Sequence, residues 1–124
     1  MIEEIRLIGT TETDGTLTVN ADRSVAGLLH AIQWVDGDLA DGVDAVVSVQ
    51  GHDNMATVLS TLTDANSDAL IYPRAPVHDL AGVGLTLDGT RVAFDCPLVV
   101  GTPRLVVASG GDAKTGGCIL FVEV

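Results

Sequence analysis

Large aromatic side chains are almost missing from this 124-residue sequence, which has one Trp, one Tyr and two Phe. Its hydrophobic core therefore has to be built from Val, Leu, Ile and Ala. Apolar residues of all kinds still make up 47% of the chain, which is enough for a folded core and argues against an intrinsically disordered protein. The length is that of one domain, so residues 1–124 are predicted to form a single domain.

Positive charge is also scarce. Six Lys and Arg residues stand against seventeen Asp and Glu, the net charge is −11 at pH 7, and Lys114 is the only lysine. Nucleic-acid affinity depends on Lys and Arg side chains that neutralise phosphates. The composition therefore argues against tight binding of DNA or RNA.

Long apolar runs and cysteine-rich motifs are absent from the sequence. No stretch approaches the roughly 20 apolar residues that span a bilayer, and Met1-Ile2-Glu3-Glu4 lacks the basic and apolar regions of a signal peptide. We expect a chain that is made in the cytoplasm and does not insert into a membrane. Cys96 and Cys118 are too few for a disulfide scaffold and too isolated for a zinc site. Both are predicted to be core thiols, and a bridge between them is the alternative.

What the sequence does contain is a series of short apolar runs separated by turn residues. Val and Thr favour pleated strands, and fourteen glycines with several Asp-Gly pairs supply turns. This pattern predicts an all-β fold, a single-domain β-sandwich that is jelly-roll-like, with about eight or nine strands. The candidate strands are Ile2 to Ile8, Thr16 to Val19, Val25 to Val35, Val43 to Val49, Met55 to Leu62, Ala69 to Tyr72, Arg91 to Val100, Arg104 to Ala108 and Cys118 to Val124.

Two tetrapeptides carry strong turn signals. They are Thr13-Asp14-Gly15-Thr16 and Leu87-Asp88-Gly89-Thr90, which place glycine where a tight turn needs a positive φ. Both are predicted to be hairpin turns.

The segment from Val25 to Val35 fits two kinds of secondary structure. A helix capped by Asp22 or Ser24 is indicated by the spacing of Val25, Leu28, Leu29, Ile32 and Val35. A strand is indicated by the alternation of Leu28, His30, Ile32 and Trp34, and the neighbouring segments all read as strands. The strand is the preferred prediction and the helix is the alternative.

The segment from Ser109 to Gly117 is rich in glycine and lies between two apolar runs. It does not fit a phosphate-binding loop, because Ala113 stands where the glycine before Lys114 should be and no helix follows. It is predicted to be a mobile hairpin loop whose second strand, at the C-terminus, lies in the middle of a sheet.

An acidic turn holds four carboxylates, Asp36, Asp38, Asp41 and Asp44. Oxygen clusters of this kind bind Ca²⁺, but the spacing does not fit an EF-hand, since Asp41 stands where the turn glycine should be. A solvated surface turn is the preferred interpretation and a calcium site is the weaker one. No other cofactor and no other metal is predicted.

Two His-Asp pairs, His52-Asp53 and His78-Asp79, resemble the orienting half of a catalytic triad. The motifs that would complete a hydrolase or a metalloprotease are missing. A zinc site or a general base built from His30, His52 and His78 is not predicted by their spacing. We therefore predict no catalytic residue and no enzymatic activity.

Trp34 and Tyr72 are rare large side chains here, and each serves either as an interface anchor or as core filling. The segment from Tyr72 to His78 contains two prolines, which interrupt strand pairing and predict an exposed edge or a crossing loop. Such a segment suits contact with a partner. The candidate interface residues are Tyr72, Pro73, Arg74, His78, Lys114 and Trp34.

Three stretches of the sequence are informative together. They are Gly27 to Leu39, then Leu62 to Ala69 with Tyr72-Pro73-Arg74, and Gly101 to Gly111 with Lys114-Thr115-Gly116. These stretches resemble a family of small virion structural proteins of tailed bacteriophages and related viruses. Proteins of this kind include capsid decoration proteins, turret components and head-to-tail neck proteins. The resemblance implies a β-sandwich that works as one copy among many in a symmetric shell or ring, and it carries over no active-site residue.

The expected function is therefore that of a non-enzymatic virion structural protein, head-associated as a decoration or turret protein or placed at the head-to-tail neck. It is expected to reach the virion after synthesis in the host cytoplasm, with copies of itself and the major capsid, portal or neck proteins as partners. Contacts are expected from the strand Met1 to Gly9 and from the loops Tyr72 to Leu80 and Ser109 to Gly117.

Two other functions remain open from the sequence. One is a lectin-like, glycan-binding sandwich that uses calcium at the acidic turn, although the chain has few aromatic faces on which sugars stack. The other is a small enzyme with His52 or His78 as its general base.

Overall fold

Strands make up the regular structure of the chain in the computed structural model, which describes residues 1–51, 55–86 and 88–124. No helix occurs in these residues, and hence none that is long and apolar enough to cross a membrane. The predicted all-β sandwich is confirmed. The described strands are β1 (Ile2–Thr10), β2 (Leu17–Asn20), β3 (Val25–Val35), β4 (Asp44–Gln50), β5 (Ala56–Leu62), β6 (Ala69–Ile71), β7 (Ala75–Pro76), β8 (Phe94–Asp95), β9 (Leu98–Ala108) and β10 (Thr115–Glu123).

The strands form two antiparallel layers. The first layer has the order β1-β10-β3, and β6 pairs with the C-terminal end of β3. The second layer has the order β2-β9-β4-β5. Strands β7 and β8 form a separate two-stranded ribbon. As the sequence predicts, the C-terminal strand β10 lies in the middle of its layer.

Strand β9 belongs to both layers. Residues 98–101 pair with β3, and residues 102–108 pair with β4. Gly101 lies at the change of partner with a φ of +134°, and a Cβ at this position would come within 2.2 Å of the carbonyl O of Gln50. Glycine is needed here because another backbone approaches closely and φ is positive.

The predicted division of this region into Arg91 to Val100 and Arg104 to Ala108 is therefore wrong. Gly101 and Pro103 do not end a strand, since β9 bends at this point and continues into the second layer. Before residue 98, the predicted strand from Arg91 is limited to β8. The strand that pairs with β8, which is β7, was not predicted.

The core between the layers is built from aliphatic side chains around a single tryptophan, as the composition requires. Trp34 is fully buried, and its indole Nε1 donates a hydrogen bond to the carbonyl O of Ala65 at 3.0 Å. The other large buried side chains include Leu7, Leu29, Ile32, Val43, Val47, Val99, Leu105, Val107, Leu120 and Val122. Both layers contribute to this set, so one core holds them together.

Residues 25–35 form one strand, so the preferred prediction is correct and the helical alternative is wrong. Ile32 and Trp34 face the core as their alternation predicts, but Leu28 is exposed and Leu29 is buried. The burial pattern of β3 therefore changes phase within the strand.

A β-bulge causes this change of phase. The pairing with β10 passes from Ala31 opposite Phe121 to Leu29 opposite Val122, which leaves His30 as an extra residue. An extra residue moves every following side chain to the other face of a sheet. The bulge explains why the sequence of β3 shows neither a strict two-residue period nor a true helical one.

The turn at Thr13-Asp14-Gly15-Thr16 is present but is not a hairpin. Asp14 Oδ1 accepts hydrogen bonds from Thr16 N at 3.1 Å and from Thr16 Oγ1 at 2.7 Å, and Gly15 has a φ of +82°. The hydroxyl of Thr16, followed by its backbone N–H, lowers the pKa of Asp14. The turn joins β1 of the first layer to β2 of the second.

The predicted loop from Ser109 to Gly117 is shorter in the structure, since β10 begins at Thr115. The connection at residues 109–114 crosses between layers, from β9 to β10, so the predicted hairpin is wrong. Gly110 N donates to the carbonyl O of Gly15 at 2.9 Å, and Ala40 N donates to the carbonyl O of Gly110 at 3.0 Å. Thr11 Oγ1 donates to the carbonyl O of Gly111 at 2.6 Å. These bonds tie the loop to the turn at Gly15, to Thr11 and to Ala40.

Candidate functional site

Residues 73–97, here called the arm, leave the first layer after β6 and return to the sandwich at β9. Val77 N donates to the carbonyl O of Ala93 at 2.8 Å, and Leu85 N donates to the carbonyl O of Val77 at 2.8 Å. Ala93 N in turn donates to the carbonyl O of Leu85 at 3.1 Å. These bonds join three passes of the chain, so the arm has its own backbone framework although β7 and β8 belong to neither layer.

The large apolar side chains in the outer part of the arm, among the residues described from 78 to 94, face solvent. Every described residue from 78 to 92 is exposed. Leu80 at the tip is fully exposed, and the exposed fractions of Val83 and Phe94 are 61% and 59%. Several large apolar side chains exposed within one short segment make that segment a candidate contact site.

Asp79 fixes the turn at the tip of the arm. Its Oδ1 accepts hydrogen bonds from Ala81 N at 2.8 Å and from Val83 N at 3.0 Å. These two bonds hold the backbone around Leu80, while the Leu80 side chain is fully exposed to solvent.

Asp88 fixes a second turn in the arm. Its Oδ1 accepts hydrogen bonds from Arg91 N at 2.9 Å, from Thr90 Oγ1 at 2.9 Å and from Thr90 N at 3.2 Å. The backbone N–H of Arg91 is the first cause, and the Thr90 hydroxyl the second, of a pKa lowered to about 2 for Asp88. The bonds from Thr90 to Asp88 repeat those from Thr16 to Asp14 in the first turn. Leu87, the first residue of the predicted turn, lies outside the described residues.

Both ends of the arm meet strand β3 at His30. On the outgoing side, Arg74 Nη1 donates a hydrogen bond to the carbonyl O of His30 at 3.1 Å. On the returning side, Cys96 Sγ lies 3.5 Å from His30 Nδ1, and Leu29 N donates to the carbonyl O of Pro97 at 3.0 Å. The β-bulge creates this anchor because it leaves His30 outside the pairing with β10.

The other ring nitrogen of His30 contacts the C-terminal strand. Its Nε2 lies 2.8 Å from Glu123 Oε1, and the exposed fractions of the two side chains are 37% and 49%. Cys96, His30 and Glu123 therefore form a continuous chain of contacts from the arm to β10.

Sequence reasoning missed this group of three residues. His30 lies 66 residues from Cys96 and 93 from Glu123 in the chain, so no local motif relates them. The contact depends on the register of three strands and on the bulge, neither of which the sequence pattern reveals.

The arm contains or adjoins four of the six candidate interface residues. Tyr72 and Arg74 are exposed at its start, with the guanidinium carbon 5.8 Å from the centre of the Tyr72 ring. Pro73 is partly buried between them, and His78 is exposed and forms a backbone bridge with Gly84.

The other two candidates lie elsewhere. Lys114 is partly buried in the loop at residues 109–114, where its backbone N–H donates to Thr11 Oγ1 at 2.9 Å. Trp34 has no exposed surface, so it fills the core. The alternative, that Trp34 is an interface anchor, is wrong.

The outer strands of the two layers differ in charge. Strand β1 carries Glu3, Glu4 and Arg6, and charges on an edge oppose pairing with another sheet. Strand β5 carries no charge, and Val58 is 58% exposed. A bulge at Leu59 interrupts the pairing of β5 with β4. The β5 edge is a second surface suited to contact with a partner.

Two of the four carboxylates of the acidic turn support the backbone. Asp38 Oδ1 accepts a hydrogen bond from Thr115 N at 2.5 Å, and Asp44 Oδ1 accepts one from Asp64 N at 3.0 Å. Among the residues described, no group of three or more His, Cys, Asp or Glu is arranged to hold a metal ion.

Asp36 differs from the other members of the acidic turn. The residue is only partly buried, but its Oδ1 is buried without a hydrogen-bond partner. Desolvation, followed by repulsion from Asp68 and Asp41, raises the pKa of the Asp36 carboxyl.

The two cysteines are both free thiols, so the bridge considered for them is not formed. Cys118 is fully buried, and burial raises its pKa to about 12, which fits the predicted core thiol. Cys96 is only partly buried at the base of the arm, so the same prediction fails for it. His52 and Asp53 lie outside the described residues.

Among the residues that the structure describes, the arm, its base at His30 and the β5 edge are the surfaces that the contacts above single out. No protein-family profile, curated protein sequence or solved structure matches this chain.

Proposed function

We propose that this chain is a non-enzymatic structural protein of a tailed-virus particle and that it assembles as a symmetric oligomer through its arm. The observation that carries the proposal is an arm whose backbone is hydrogen-bonded internally while Leu80, Val83 and Phe94 stay exposed. Covering such side chains stabilises an assembly by about 25 cal/mol per Å² of apolar area. The partner that we assign to the arm is a second copy of the chain.

The distribution of charge supports contact between copies through the arm. The arm contains two Arg and three Asp, a net charge of −1, so −10 of the total of −11 belongs to the rest of the chain. Two sandwiches that approach face to face would bring like charges together, which opposes association. The arm is the surface on which two copies meet with least repulsion.

Symmetry follows when every copy uses the same surface. An arm that packs against the arm of its neighbour gives a closed dimer, and an arm that packs against another surface gives a ring when the rotation between copies closes. Repetition then makes weak individual contacts strong in a shell or ring. The uncharged β5 edge offers a separate surface to a different virion protein, such as the major capsid, portal or neck protein.

Within the particle, the proposed position is the head, as a decoration or turret protein, or the neck between head and tail. The resemblance of Gly27 to Leu39 and the other stretches to small virion proteins supports this position. The strongly acidic surface suits an outer decoration, and it also suits a ring through which DNA passes without adhering.

Quantitative mass spectrometry of purified particles whose genome encodes the chain tests the virion position. The expected result is a fixed copy number that fits a symmetric ring or shell, with antibody labelling in electron micrographs on the head or neck. A particle fraction that lacks the polypeptide would refute the virion position, whereas the oligomer formed by the arm is tested separately on the purified chain.

A further inference from the structure

We propose that Cys96 is a thiol activated by His30 and that it is a site of modification by small disulfides. The three residues that support this inference form one line of contacts, in which Sγ of Cys96 is 3.5 Å from His30 Nδ1 and His30 Nε2 is 2.8 Å from Glu123 Oε1. A nucleophile, a base and a carboxylate that orients the base are the parts of an activated thiol. The inference does not depend on the arm-mediated oligomer.

Glu123 decides which nitrogen of His30 carries the proton. A carboxylate only accepts hydrogen bonds, so Nε2 must be the donor in the contact with Glu123. A neutral imidazole with its proton on Nε2 has a free lone pair on Nδ1, the atom that faces the sulfur of Cys96. Glu123 is thus a positioning residue, because it acts on the thiol through His30.

The chemistry that this arrangement supports is thiol–disulfide exchange. His30 Nδ1 accepts the proton of the Cys96 thiol, and the resulting thiolate attacks one sulfur of a disulfide R–S–S–R. A bond between Cys96 Sγ and R–S forms while the S–S bond of the reagent breaks, and the imidazolium gives its proton to the departing thiolate or, where that thiol is a strong acid, to water. One disulfide is consumed, one mixed disulfide and one thiol or thiolate are produced, and no further oxidant is needed.

The surroundings of Cys96 set the substrate class. The thiol is partly buried at the base of the arm, next to an imidazole that is 37% exposed, so small molecules in solution reach it from the surface. Its backbone N–H donates to Asp95 Oδ1 at 2.7 Å, and Arg74 holds the carbonyl of His30 on the opposite side. These bonds fix the backbone on either side of the Cys96–His30 contact.

The chain contains its own internal comparison. Cys118 is fully buried and its pKa is raised to about 12, so it should remain a protonated, unreactive thiol in the folded chain. Reaction of the native protein with a disulfide is therefore expected to modify one cysteine, and unfolding is expected to release the second.

The test measures the rate at which the full chain reacts with an aromatic disulfide whose released thiolate is coloured, at pH 7 and low protein concentration. Replacement of Cys96 by Ser should abolish the fast reaction. His30→Gln should slow it by about tenfold or more, since the base that removes the proton is lost. Glu123→Gln should slow it by about threefold, since a Gln amide no longer fixes the proton on Nε2.

A matched control separates positioning from charge. The reagent is an anion, so removal of any carboxylate changes its approach, and Glu12→Gln removes the same charge from an exposed turn. This variant should react at least as fast as the native chain. Nitrogen chemical shifts of His30 should report the Nε2–H form in the native chain and a mixture of forms in Glu123→Gln, which a purely structural role for Glu123 would not produce.

Circular dichroism confirms that each variant is folded before rates are compared. A native rate equal to that of the unfolded chain at the same pH, or an undiminished rate in folded His30→Gln, would overturn the inference. Modification of Cys118 in preference to Cys96 would do the same.

Discussion

Arg74 and His30 are joined by a hydrogen bond of 3.1 Å from the guanidinium Nη1 to the backbone carbonyl O, and this bond ties the start of the arm to strand β3. The same nitrogen donates to the carbonyl O of Pro73 at 2.6 Å, and the guanidinium lies 5.8 Å from the ring centre of Tyr72. A planar guanidinium serves two acceptors and an aromatic face at once, which a lysine does not. The arm is therefore bonded to the sandwich at its base, while Leu80 at its tip is fully exposed.

Replacing Arg74 by Ala should loosen the arm without unfolding the sandwich. We expect amide hydrogen exchange at Val77 and Leu85 to become several-fold faster, because the base of the arm loses its side-chain anchor. The free energy of unfolding should fall by no more than about 1.5 kcal/mol, the usual range for one hydrogen bond. Arg91→Ala is the control, since Arg91 pairs with Asp88 inside the arm. Equal exchange rates in the two variants would contradict a specific role for Arg74.

Trp34 should be the most costly single aromatic to remove. Trp34→Ala is expected to lower the free energy of unfolding by about 3–5 kcal/mol, because it empties the centre of the core and leaves the carbonyl O of Ala65 without its donor. Tyr72→Ala, which removes an exposed aromatic, should change it by less than about 0.5 kcal/mol in the monomer. Urea denaturation measures the free energy of unfolding of both variants. Similar losses in the two would contradict the central position of Trp34 in the core.

Gly101 should tolerate no side chain. Gly101→Ala places a Cβ against the carbonyl O of Gln50 and at a positive φ, so we expect a loss of stability of more than about 2 kcal/mol. Gly89 also has a positive φ, of +85°, but a Cβ there meets nothing within 4 Å. Gly89→Ala should therefore cost only the conformational strain, about 1 kcal/mol. Thermal unfolding of the pair separates the steric contact from the backbone strain.

Asp36 should make the chain less stable at neutral pH than at mildly acidic pH. Its pKa is raised above the ordinary value of 3.8, so the folded chain binds the proton more tightly than the unfolded chain does. The stability that protonated Asp36 contributes is fully present below the unfolded pKa of 3.8. It is lost as the pH rises through the pKa of Asp36 in the folded chain. Asp36→Asn should gain up to about 1 kcal/mol at pH 7, and the gain should disappear at about pH 3.

The control for this prediction is Asp112→Asn, which removes one negative charge from an exposed loop. It measures the general effect of lowering the net charge. If the two variants gained equal stability at every pH, the burial of Asp36 and its repulsion by Asp68 and Asp41 would not be the cause.

Much of the fold follows from composition and local pattern. Runs such as Ile2 to Ile8 and Val43 to Val49 nearly coincide with β1 and β4, because β-branched residues between turn signals favour strands. The prolines predict that Tyr72 to His78 leaves the main sheets, as the structure shows, although Pro76 still pairs with Phe94 in the ribbon of β7 and β8. The continuous strand β9 could not be predicted from the sequence. Glycine usually predicts the end of a strand, but at Gly101 the strand bends and passes from one layer to the other.

The contacts at the base of the arm were beyond sequence reasoning for a different reason. The bulge at His30 depends on the pairing of β3 with β10, which no local pattern encodes. Without it, the alternation of Leu28, His30, Ile32 and Trp34 would place His30 and Trp34 on one face. In the structure Trp34 enters the core, while His30 stays partly exposed beside Cys96.

Sedimentation velocity of the purified full chain over a range of concentrations tests assembly through the arm most directly. We predict a discrete homo-oligomer that becomes a folded monomer in the double variant Leu80→Ser and Val83→Ser. The double variant Ile2→Ser and Val124→Ser, which removes apolar side chains that are 49% and 51% exposed near the termini, should leave the oligomer intact. A chain that is monomeric at all concentrations, or an oligomer that survives the arm substitutions unchanged, would contradict the proposal.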